Sequence, residues 1–266
     1  PAWVEKMARS YGENSPIYKI RVLGQFADDD KFQLIASMWV AKAFERDDAA
    51  DGSLPKLRVS VDVADGGLDE TVITAARHYQ SFMLVVEQKA YSFGLECAQI
   101  DAADKAEQMF GRHGGSKANG DDYVVDAIGV GTGCAGELYD RGCIVIRYKG
   151  GETSADPKKW RNRRVQTHLV ARDAFREGRV AFVDDGVDDV DELQAQLCSI
   201  KRKPGDDKVE DLVSKEDMLK DGIKSPDRAE SLVMQYTTKA PLIGKTQGAR
   251  ERPVINKSNV TEGLDL

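Results

Sequence analysis

Apolar residues between positions 57 and 90 fall into three short runs, the first of which alternates with polar residues, and this pattern predicts three short β-strands. The strand segments are LRVSVDVA, TVITAARH and FMLVVEQKA, and the turn-forming segments GGLDE and YQS separate them. β-Branched or aromatic residues enrich each segment, and short polar connections of this kind join antiparallel neighbours. We therefore predict a three-stranded antiparallel meander.

Beyond the meander, strand-like segments alternate with helix-like ones. Strands are expected in YVVDAIGV, CIVIRYK and VAFV, and helices in residues 94–111, 131–142 and 157–178, in VDELQAQLCSI and after SPD, with a hairpin between KRK and KVEDLVSK. Strands that are connected through helices pair in parallel. The predicted fold class is α/β, a ribonuclease-H-like mixed β-sheet in which an antiparallel meander precedes parallel strands and helices flank the sheet.

Three stretches of different character divide the chain. Residues 1–56 begin with Pro1 rather than Met and combine a helix, the strand-like YKIRVLGQF, an acidic turn, an amphipathic helix and a polar linker. We interpret them as the lead-in of an excised piece. Residues 57–236 hold the predicted sheet and its helices. Residues 237–266 carry few large apolar side chains and no period, which predicts a flexible C-terminal tail.

Composition narrows the class of protein. With 266 residues, 41% of them hydrophobic, the chain is long enough for one substantial core. No segment approaches the roughly 20 apolar residues that cross a bilayer, and no secretory signal is present, so we expect a cytosolic protein without a membrane partner. The four cysteines form no CxxC pair, and three histidines are too few for a convincing zinc site.

Two aspartates interrupt strands that are rich in valine. Asp62 lies within VSVDVADGG on the face opposite its flanking valines, and Asp126 ends the apolar run YVVD. A carboxylate in such a strand is costly unless a cation or hydrogen-bond donors neutralise it. Ligands of open α/β sheets bind beyond the carboxyl ends of the strands. For Asp62 alone, an exposed position on the sheet explains the pattern equally well.

A third acidic position lies in KSPDRAESLVMQY. Asp227 occupies the first turn of the predicted last helix, and Glu230 follows one turn later on the same face. Capping by Ser225, with acids in the first turn, explains this segment taken by itself. Together with Asp62 and Asp126, however, Asp227 completes a set of three carboxylates that are far apart in sequence.

Carboxylates without histidine or cysteine partners are the donors that Mg²⁺ and Mn²⁺ prefer. Two such ions about 3.5–4 Å apart activate a water molecule and stabilise the leaving oxygen of a phosphodiester. The acidic set therefore indicates metal-assisted phosphodiester hydrolysis. In this interpretation Asp62 bridges two ions, Asp126 holds one of them, and Asp227 holds the other or orients the attacking water.

Several motifs resemble the C-terminal nuclease part of the terminase large subunits of tailed bacteriophages. They are YGENSPIYKIRVLGQF, VDVADGGLDETVI at Asp62, VVDAIGVGTGCAGELYDRG at Asp126, WRNRRVQTHLVARDAFREGRVAF, DELQAQL and VSKEDMLKDGIKSPDRAESLVM at Asp227. The resemblance implies a two-metal endonuclease that cuts concatemeric double-stranded phage DNA during packaging, with two Mg²⁺ or Mn²⁺ ions on those three aspartates. Asp69 is implied as an alternative ligand. Glu230 replaces an expected aspartate, which leaves its role open.

The same resemblance implies partners and a location. The partners would be double-stranded DNA, an N-terminal packaging ATPase, the portal and the small terminase subunit, in the cytoplasm of the bacterial host. Residues 1–56 would be the end of the ATPase region or the linker that follows it. The sequence GKT at 244–246 is no P-loop, because Lys239 stands where that motif requires glycine.

Basic residues cluster in two segments, although the net charge of the chain is −7. Duplex DNA requires a local basic surface. We expect a phosphate-contacting rim of Lys158, Lys159, Arg161, Arg163, Arg164, Lys201, Arg202 and Lys203, with the acidic stretch 184–192 facing elsewhere. A solvated helix start explains KKWRNRR equally well. Lys215 would contact the scissile phosphate or pair with its acidic neighbours.

Three other interpretations stay open. Gly131, Gly133 and Gly136 match the dinucleotide motif GxGxxG, with Glu152 near the position of a ribose-binding acid, although this motif does not open the fold. In a nuclease, the same glycines would let a helix start approach a phosphate or the metals. The chain could also be a module that grips DNA or docks on the portal with little cutting, or a recombination or repair nuclease of the same fold.

Overall fold

The protein folds around a mixed seven-stranded sheet. The computed structural model describes residues 2–13, 18, 22–23, 32–46, 51–64, 70–94, 97–203, 208–220, 223 and 225–244. In chain order the strands are β1 (Lys56–Asp62), β2 (Thr71–His78), β3 (Met83–Tyr91), β4 (Asp122–Asp126), β5 (Ile144–Tyr148), β6 (Val180–Phe182) and β7 (Leu242–Ile243). Across the sheet they follow the order β6-β3-β2-β1-β4-β5-β7.

The predicted meander and the predicted parallel strands are both present. β1, β2 and β3 pair antiparallel, while β4 runs parallel to β1, β5 parallel to β4, and β6 parallel to β3. Since β1, β3, β4, β5 and β6 all point the same way, their carboxyl ends meet at one edge of the sheet. β1 and β4 occupy the middle of that edge.

Helices cover both faces of the sheet. They are α1 (Ala2–Tyr11), α2 (Ser37–Glu45), α3 (Ala98–Arg112), α4 (Gly131–Asp140), α5 (Arg163–Arg176), α6 (Val190–Ser199), α7 (Lys215–Lys220) and α8 (Asp227–Val233). One apolar core lies beneath α3 and α4, and the other lies beneath α2, α5, α6 and α8. No helix in the described part of the chain is long and apolar enough to cross a bilayer.

The alternation in β1 decides which face each residue occupies. Val59 and Val61 are fully buried in the core beneath α3 and α4. Ser60 points to the opposite face, where its hydroxyl donates to the carbonyl oxygen of Ser231 on α8 at 2.6 Å. Because side chains in a strand alternate between faces, Asp62 lies on the α8 side, as the sequence pattern predicts.

A buried polar network holds α8 on the sheet. Thr74 and Ser231 share a hydroxyl–hydroxyl hydrogen bond of 2.9 Å, and the Gln88 amide donates to the Arg228 carbonyl at 3.1 Å. Gln235, just after α8, donates to the Ser60 hydroxyl at 2.8 Å. Hydrogen bonds are directional, so this network fixes the position of α8 more tightly than apolar packing alone would.

Residues on both sides of the expected range 57–236 contribute to the sheet and its cores. Leu34, Ile35, Val40 and Ala43 are buried in the core beneath α2, so this part of the expected lead-in belongs to the fold. On the other side of the range, β7 pairs antiparallel with β5, although its two residues lack the length of a recognisable strand pattern. The expected strand YKIRVLGQF, apart from residues 18, 22 and 23, and residues 245–266 lie outside the described residues.

The expected helix 157–178 starts later than predicted. α5 begins at Arg163, because the side chain of Asn162 accepts the backbone N–H of Val165 at 3.0 Å and caps the helix there. The backbone of Trp160 instead forms an isolated β-bridge with that of Glu210. Most of KKWRNRR is therefore a loop ahead of α5, and the prediction that this segment opens the helix was wrong.

Candidate metal centre

Asp62 and Asp126 end two adjacent parallel strands. Val61 pairs with Val125 in the register of β1 and β4, so the two aspartates are the next neighbours along the same edge. Adjacent strands lie about 4.8 Å apart. Both aspartates occupy the face covered by α8, because the preceding valines face the core beneath α3 and α4. The sheet thus brings together two carboxylates that are 64 residues apart in sequence.

Asp227 reaches the same edge from α8. It is the first residue of the helix, and one carboxylate oxygen accepts the backbone N–H of Glu70 at 3.2 Å. Glu70 directly precedes β2, whose Val72 pairs with Asp62. The hydroxyl of Ser225 donates to the other oxygen of Asp227. All three predicted acids therefore lie at the carboxyl end of the central strands.

Helix capping does not account for Asp227. The N-cap residue of α8 is Pro226, and Ser225 bonds to the Asp227 side chain rather than to a helix amide. The cap comes instead from α6, where Oε1 of Gln196 accepts the backbone N–H of Arg228 at 2.7 Å and that of Ala229 at 3.3 Å. The sequence contains no signal for this contact, because the two helices meet only in the folded chain.

Two carboxylate oxygens at this edge are buried without a hydrogen-bond partner. They are Oδ2 of Asp62 and Oδ1 of Asp126. Burial raises the pKa of Asp62 to about 8; the Lys215 charge opposes this rise, and the neighbouring acids add to it. Burial likewise raises the pKa of Asp126 to about 6. The positive charge of Lys215 is therefore too small to keep both buried carboxylates ionised without a further cation.

Two cationic side chains and a buried histidine, whose pKa burial lowers to about 4, lie behind the aspartates. Nζ of Lys215 is 3.9 Å from Oδ2 of Asp62, and Nε of Arg164 donates to Glu230 at 2.8 Å. Nε2 of the fully buried His168 is 3.6 Å from the same Glu230 oxygen. Burial opposes ionisation of Glu230, but the charges of Arg164, His168 and Lys215 outweigh it and lower its pKa to about 2. Glu230 is thus occupied by protein cations.

The described residues contain no group of three or more His, Cys, Asp or Glu side chains already arranged to hold one ion. Asp62, Asp126 and Asp227 lie at the edge together with Glu70 and Asp188, but the last two approach Arg228, and Glu230 is bonded to Arg164. Asp69, the other candidate ligand, lies outside the described residues. A metal ion would therefore take part of its coordination from solvent or substrate.

The predicted basic rim divides into exposed and paired residues. Lys158 and Lys159 are exposed, and Nζ of Lys159 lies 4.6 Å from the centroid of the Trp160 ring. The backbone of Lys201 forms an isolated antiparallel β-bridge with that of Gln33. The other predicted residues meet acids: Arg161 and Lys203 approach Asp211, Arg163 approaches Glu152, Arg164 bonds Glu230, and Arg202 bonds Glu210. Most of the predicted cations are thus already partly neutralised.

Part of the acidic stretch 184–192, which is expected to face away from the basic rim, lies at this edge. Asp188 pairs with Arg228, the residue next to Asp227. The stretch follows β6, which ends at the same edge as β1 and β4. Its chain position after a parallel strand, rather than its charge, decides where it lies.

The glycine motif brings α4 close to Asp126. A Cβ on Gly131 would lie 1.8 Å from the carbonyl oxygen of Asp126, so only glycine allows the helix to start there. Glu152, the candidate ribose ligand of the dinucleotide interpretation, is bonded by Lys239 at 2.8 Å and approached by Arg163 at 3.3 Å. The motif thus serves the acidic edge of this sheet.

No protein-family model matches the chain, and no curated protein does. Solved structures match it over most of its length. The nuclease domain of the large terminase subunit gp2 of bacterial virus Sf6 is 21% identical with a TM-score of 0.61, and the match covers 78% of this chain and 100% of that domain. A variant of that domain solved with manganese is 19% identical with a TM-score of 0.61. That match covers 77% of this chain and 99% of the variant domain.

A third structure extends the same likeness. The large terminase nuclease from thermophilic phage G20c, solved with bound cobalt, is 13% identical with a TM-score of 0.52, and the match covers 79% of this chain and 98% of that chain. At these identities the likeness establishes the fold. The chain has the fold of large terminase nuclease domains, and the predicted ribonuclease-H-like fold class is confirmed.

Proposed function

We propose that this chain is a divalent-metal-dependent endonuclease that cleaves concatemeric double-stranded DNA during phage genome packaging. The observation that carries the proposal is the pair of buried carboxylate oxygens without hydrogen-bond partners on neighbouring strands, from Asp62 and Asp126. A fold retains such a pair only if something else compensates its cost, and function is the usual reason. The fold shared with two phage terminase nucleases supports this choice of substrate.

The donors fit Mg²⁺ or Mn²⁺. Every available ligand atom is a carboxylate oxygen, which hard divalent cations prefer over nitrogen or sulfur. Mg²⁺ is commonly held by one or two carboxylates together with water and substrate phosphate, so a complete protein cage is not required. The related nuclease structures that contain manganese and cobalt agree with a divalent ion in this fold.

Each aspartate has a distinct place in the proposed mechanism. Asp62 lies between the other two and would hold both ions, whereas Asp126 and Asp227 would each hold one. When bound, the ions would make a water molecule more acidic and stabilise the leaving oxygen of the phosphodiester. Ser225 and the Glu70 amide orient the Asp227 carboxylate, so its position is set before any ion arrives.

Lys215 supplies the positive charge closest to Asp62. Burial disfavours the Lys215 ammonium, but Glu230, Asp62 and Asp227 outweigh this effect and raise its pKa. It therefore stays protonated at neutral pH. Of the two roles expected for Lys215, contact with the scissile phosphate is consistent with this position, and its Nζ pairs with Asp62 rather than with its sequence neighbours.

The DNA backbone would run past the exposed lysines ahead of α5. Lys158 and Lys159 would contact phosphates directly, while the paired residues Arg161, Arg163, Arg202 and Lys203 would exchange protein acids for phosphates. Lys201 belongs to the same segment. Arg164 faces the acidic edge itself. We further propose that a packaging ATPase, the portal and the small terminase subunit are the partners, in the cytoplasm of a bacterial host.

Plasmid nicking tests the proposal. The wild-type chain should convert supercoiled plasmid to nicked and linear forms in Mg²⁺ or Mn²⁺ and be inactive in EDTA. Asp62→Asn and Asp126→Asn should each reduce the rate at least 100-fold, because a neutral amide is a weaker ligand. Asp140→Asn is the control, since this exposed residue ends α4, about 15 Å along the helix from the acidic edge.

The remaining outcomes separate the alternatives. If the wild-type chain binds duplex DNA but cuts it with none of these metals, the DNA-gripping interpretation replaces ours. Strong preference for branched over linear duplex would favour a recombination or repair nuclease. Unchanged cutting by Asp62→Asn would place the active site elsewhere.

A further inference from the structure

An isoleucine stands exposed beside the acidic edge. Ile128 follows Asp126 by two residues and is 58% exposed, although isoleucine is among the residues most often buried in proteins. Two residues of chain span at most about 7 Å. Ile128 therefore lies close to Asp126, whose Oδ1 is one of the two unpartnered oxygens.

The turn that carries Ile128 is held by hydrogen bonds at both ends. The Ala127 N–H donates to the Tyr148 carbonyl at 2.7 Å, and the Gly131 N–H donates to the carbonyl of Ile128 itself at 3.1 Å. The Thr132 hydroxyl donates to the Ala127 carbonyl at 3.0 Å. Gly129 adopts a left-handed backbone with φ of 54°, which glycine tolerates best. The turn thus presents Ile128 in a fixed place.

We propose that Ile128 is a DNA contact that packs against the sugar and base edges next to the phosphate that is cut. This inference rests on the proposed nuclease function. A duplex whose phosphate reaches Asp126 extends about 3.4 Å along its axis with each base-pair step, so Ile128 lies within about two steps of that phosphate. Proteins that bind the minor groove also use apolar side chains, isoleucine among them, which they insert between base steps.

The charge of the site explains why an apolar contact is useful here. The chain has a net charge of −7, so it offers little long-range attraction for DNA. Most of the predicted cationic rim is already paired with protein acids. Burial of an isoleucine side chain contributes to binding without electrostatic attraction, so it does not weaken with salt as phosphate contacts do.

Duplex binding by Ile128→Ser tests this contact. We expect affinity for a short fluorescent duplex, measured by anisotropy with Ca²⁺, to fall about 10-fold, as burial of an isoleucine predicts. The slope of log affinity against log salt should stay the same, because no charge is removed. Ile128→Leu should recover most of the affinity. Ile243→Ser is the control, because Ile243 is 63% exposed and pairs with Ile144 at the far end of β5.

Cutting separates this inference from the proposed function. In Mn²⁺, Ile128→Ser should lose at least 10-fold more of kcat/KM on duplex DNA than on bis(p-nitrophenyl) phosphate, which has no groove. Equal losses on both substrates, or unchanged duplex affinity, would overturn the role of Ile128 while leaving the nuclease intact. If the wild-type chain cuts neither substrate but Ile128→Ser still binds duplex about 10-fold more weakly, the nuclease proposal fails and the contact stands.

Discussion

The side-chain oxygen of Gln196 on α6 lies 2.7 Å from the backbone nitrogen of Arg228 in the first turn of α8. It also accepts the Ala229 N–H, so one side chain satisfies two amides that a helix start leaves without partners. The residue before Arg228 is Asp227. A contact between two helices therefore sets the position of one of the three proposed metal ligands.

Removal of this contact should lower the free energy of unfolding and raise the Mn²⁺ concentration that nicking requires. Gln196→Met keeps the length of the side chain but removes the acceptor, so we expect a loss of about 1–2 kcal/mol in the free energy of unfolding. We also expect plasmid nicking to require several-fold more Mn²⁺, because Asp227 is less well positioned. Urea denaturation and a Mn²⁺ titration of the nicking rate measure the two effects.

A neighbouring substitution provides the control for Gln196. The amide nitrogen of Gln196 donates to Glu192 at 2.9 Å, and Glu192→Ala removes this bond while the oxygen that caps α8 remains. Both measurements should therefore stay close to wild type. If Glu192→Ala raises the Mn²⁺ requirement as much as Gln196→Met does, general loosening of α6 is the cause, and the capping argument fails.

Two buried aspartates on neighbouring strands should respond to amide substitution in opposite directions. Asp62 has a buried oxygen without a hydrogen-bond partner, whereas Asp122 bonds Arg58 through both oxygens and also Lys56. In EDTA at pH 7, we expect Asp62→Asn to raise the free energy of unfolding by about 1–3 kcal/mol, because folding must protonate Asp62 at this pH, whereas the amide does not titrate. Asp122→Asn should lower it by about 3 kcal/mol, since it removes the carboxylate that pairs with the mostly buried Arg58.

Thermal unfolding in EDTA and in Mn²⁺ measures this contrast. Mn²⁺ should raise the melting temperature of the wild-type chain and of Asp122→Asn, but not that of Asp62→Asn, because binding to the folded state stabilises it. If Asp62→Asn is less stable than wild type in EDTA, the Asp62 carboxylate makes favourable interactions within the protein, and the central argument for a metal site is lost.

The sequence predicts the strands of the central sheet well because their signal is local. Runs rich in β-branched and aromatic residues identify β1, β2 and β3, and alternation in β1 places Asp62 opposite the buried valines. The parallel strands β4 and β5 follow from apolar runs separated by a helix. β7 could not be predicted in the same way, because two residues carry no period and only pairing with β5 defines them.

Some residues of the candidate site can likewise be predicted from local sequence, and others cannot. Asp62, Asp126 and Asp227 stand out because each breaks or opens a recognisable element. The ion pair between Arg164 and Glu230, the buried His168 and the Gln196 contact depend on helices that meet only after folding. Arg164 was predicted as part of a DNA-binding rim from the charge of KKWRNRR, yet charge patterns do not reveal which side of a helix start faces inward.

Acid should destabilise the protein through His78. Burial and the nearby Arg58 charge lower its pKa from 6.5 to about 4, although hydrogen bonding to Gln235 and the Asp122 charge act in the other direction. Between these two values the unfolded chain binds more protons than the folded one, so the free energy of unfolding decreases as pH falls from about 6.5 towards 4. Below pH 4 this contribution changes no further, since both states are protonated.

A substitution isolates the effect of His78 from that of other acids and bases. His78→Gln keeps an amide donor for Gln235, which lies 3.0 Å from the histidine ring, but does not titrate. The loss of unfolding free energy between pH 7 and pH 5, measured in urea without metal, should be smaller for His78→Gln than for wild type. Equal losses would mean that His78 titrates normally in the folded chain.

Two glycines of the same helix should respond differently to alanine. A Cβ at Gly131 would lie 1.8 Å from the Asp126 carbonyl oxygen, which is backbone and cannot move aside without shifting β4. A Cβ at Gly136 would meet nothing closer than 3.9 Å, at the end of the Arg147 side chain. Gly131→Ala should therefore displace Asp126, lower the free energy of unfolding by about 1–3 kcal/mol and reduce nicking at least 10-fold. Gly136→Ala should stabilise α4 by up to about 1 kcal/mol, because alanine is the better helix former, and nicking should persist.

Chemical denaturation and plasmid nicking in Mn²⁺ distinguish the two variants. If Gly131→Ala cuts plasmid as well as Gly136→Ala does, the close approach of α4 to Asp126 has no bearing on catalysis, and the glycine motif serves packing alone.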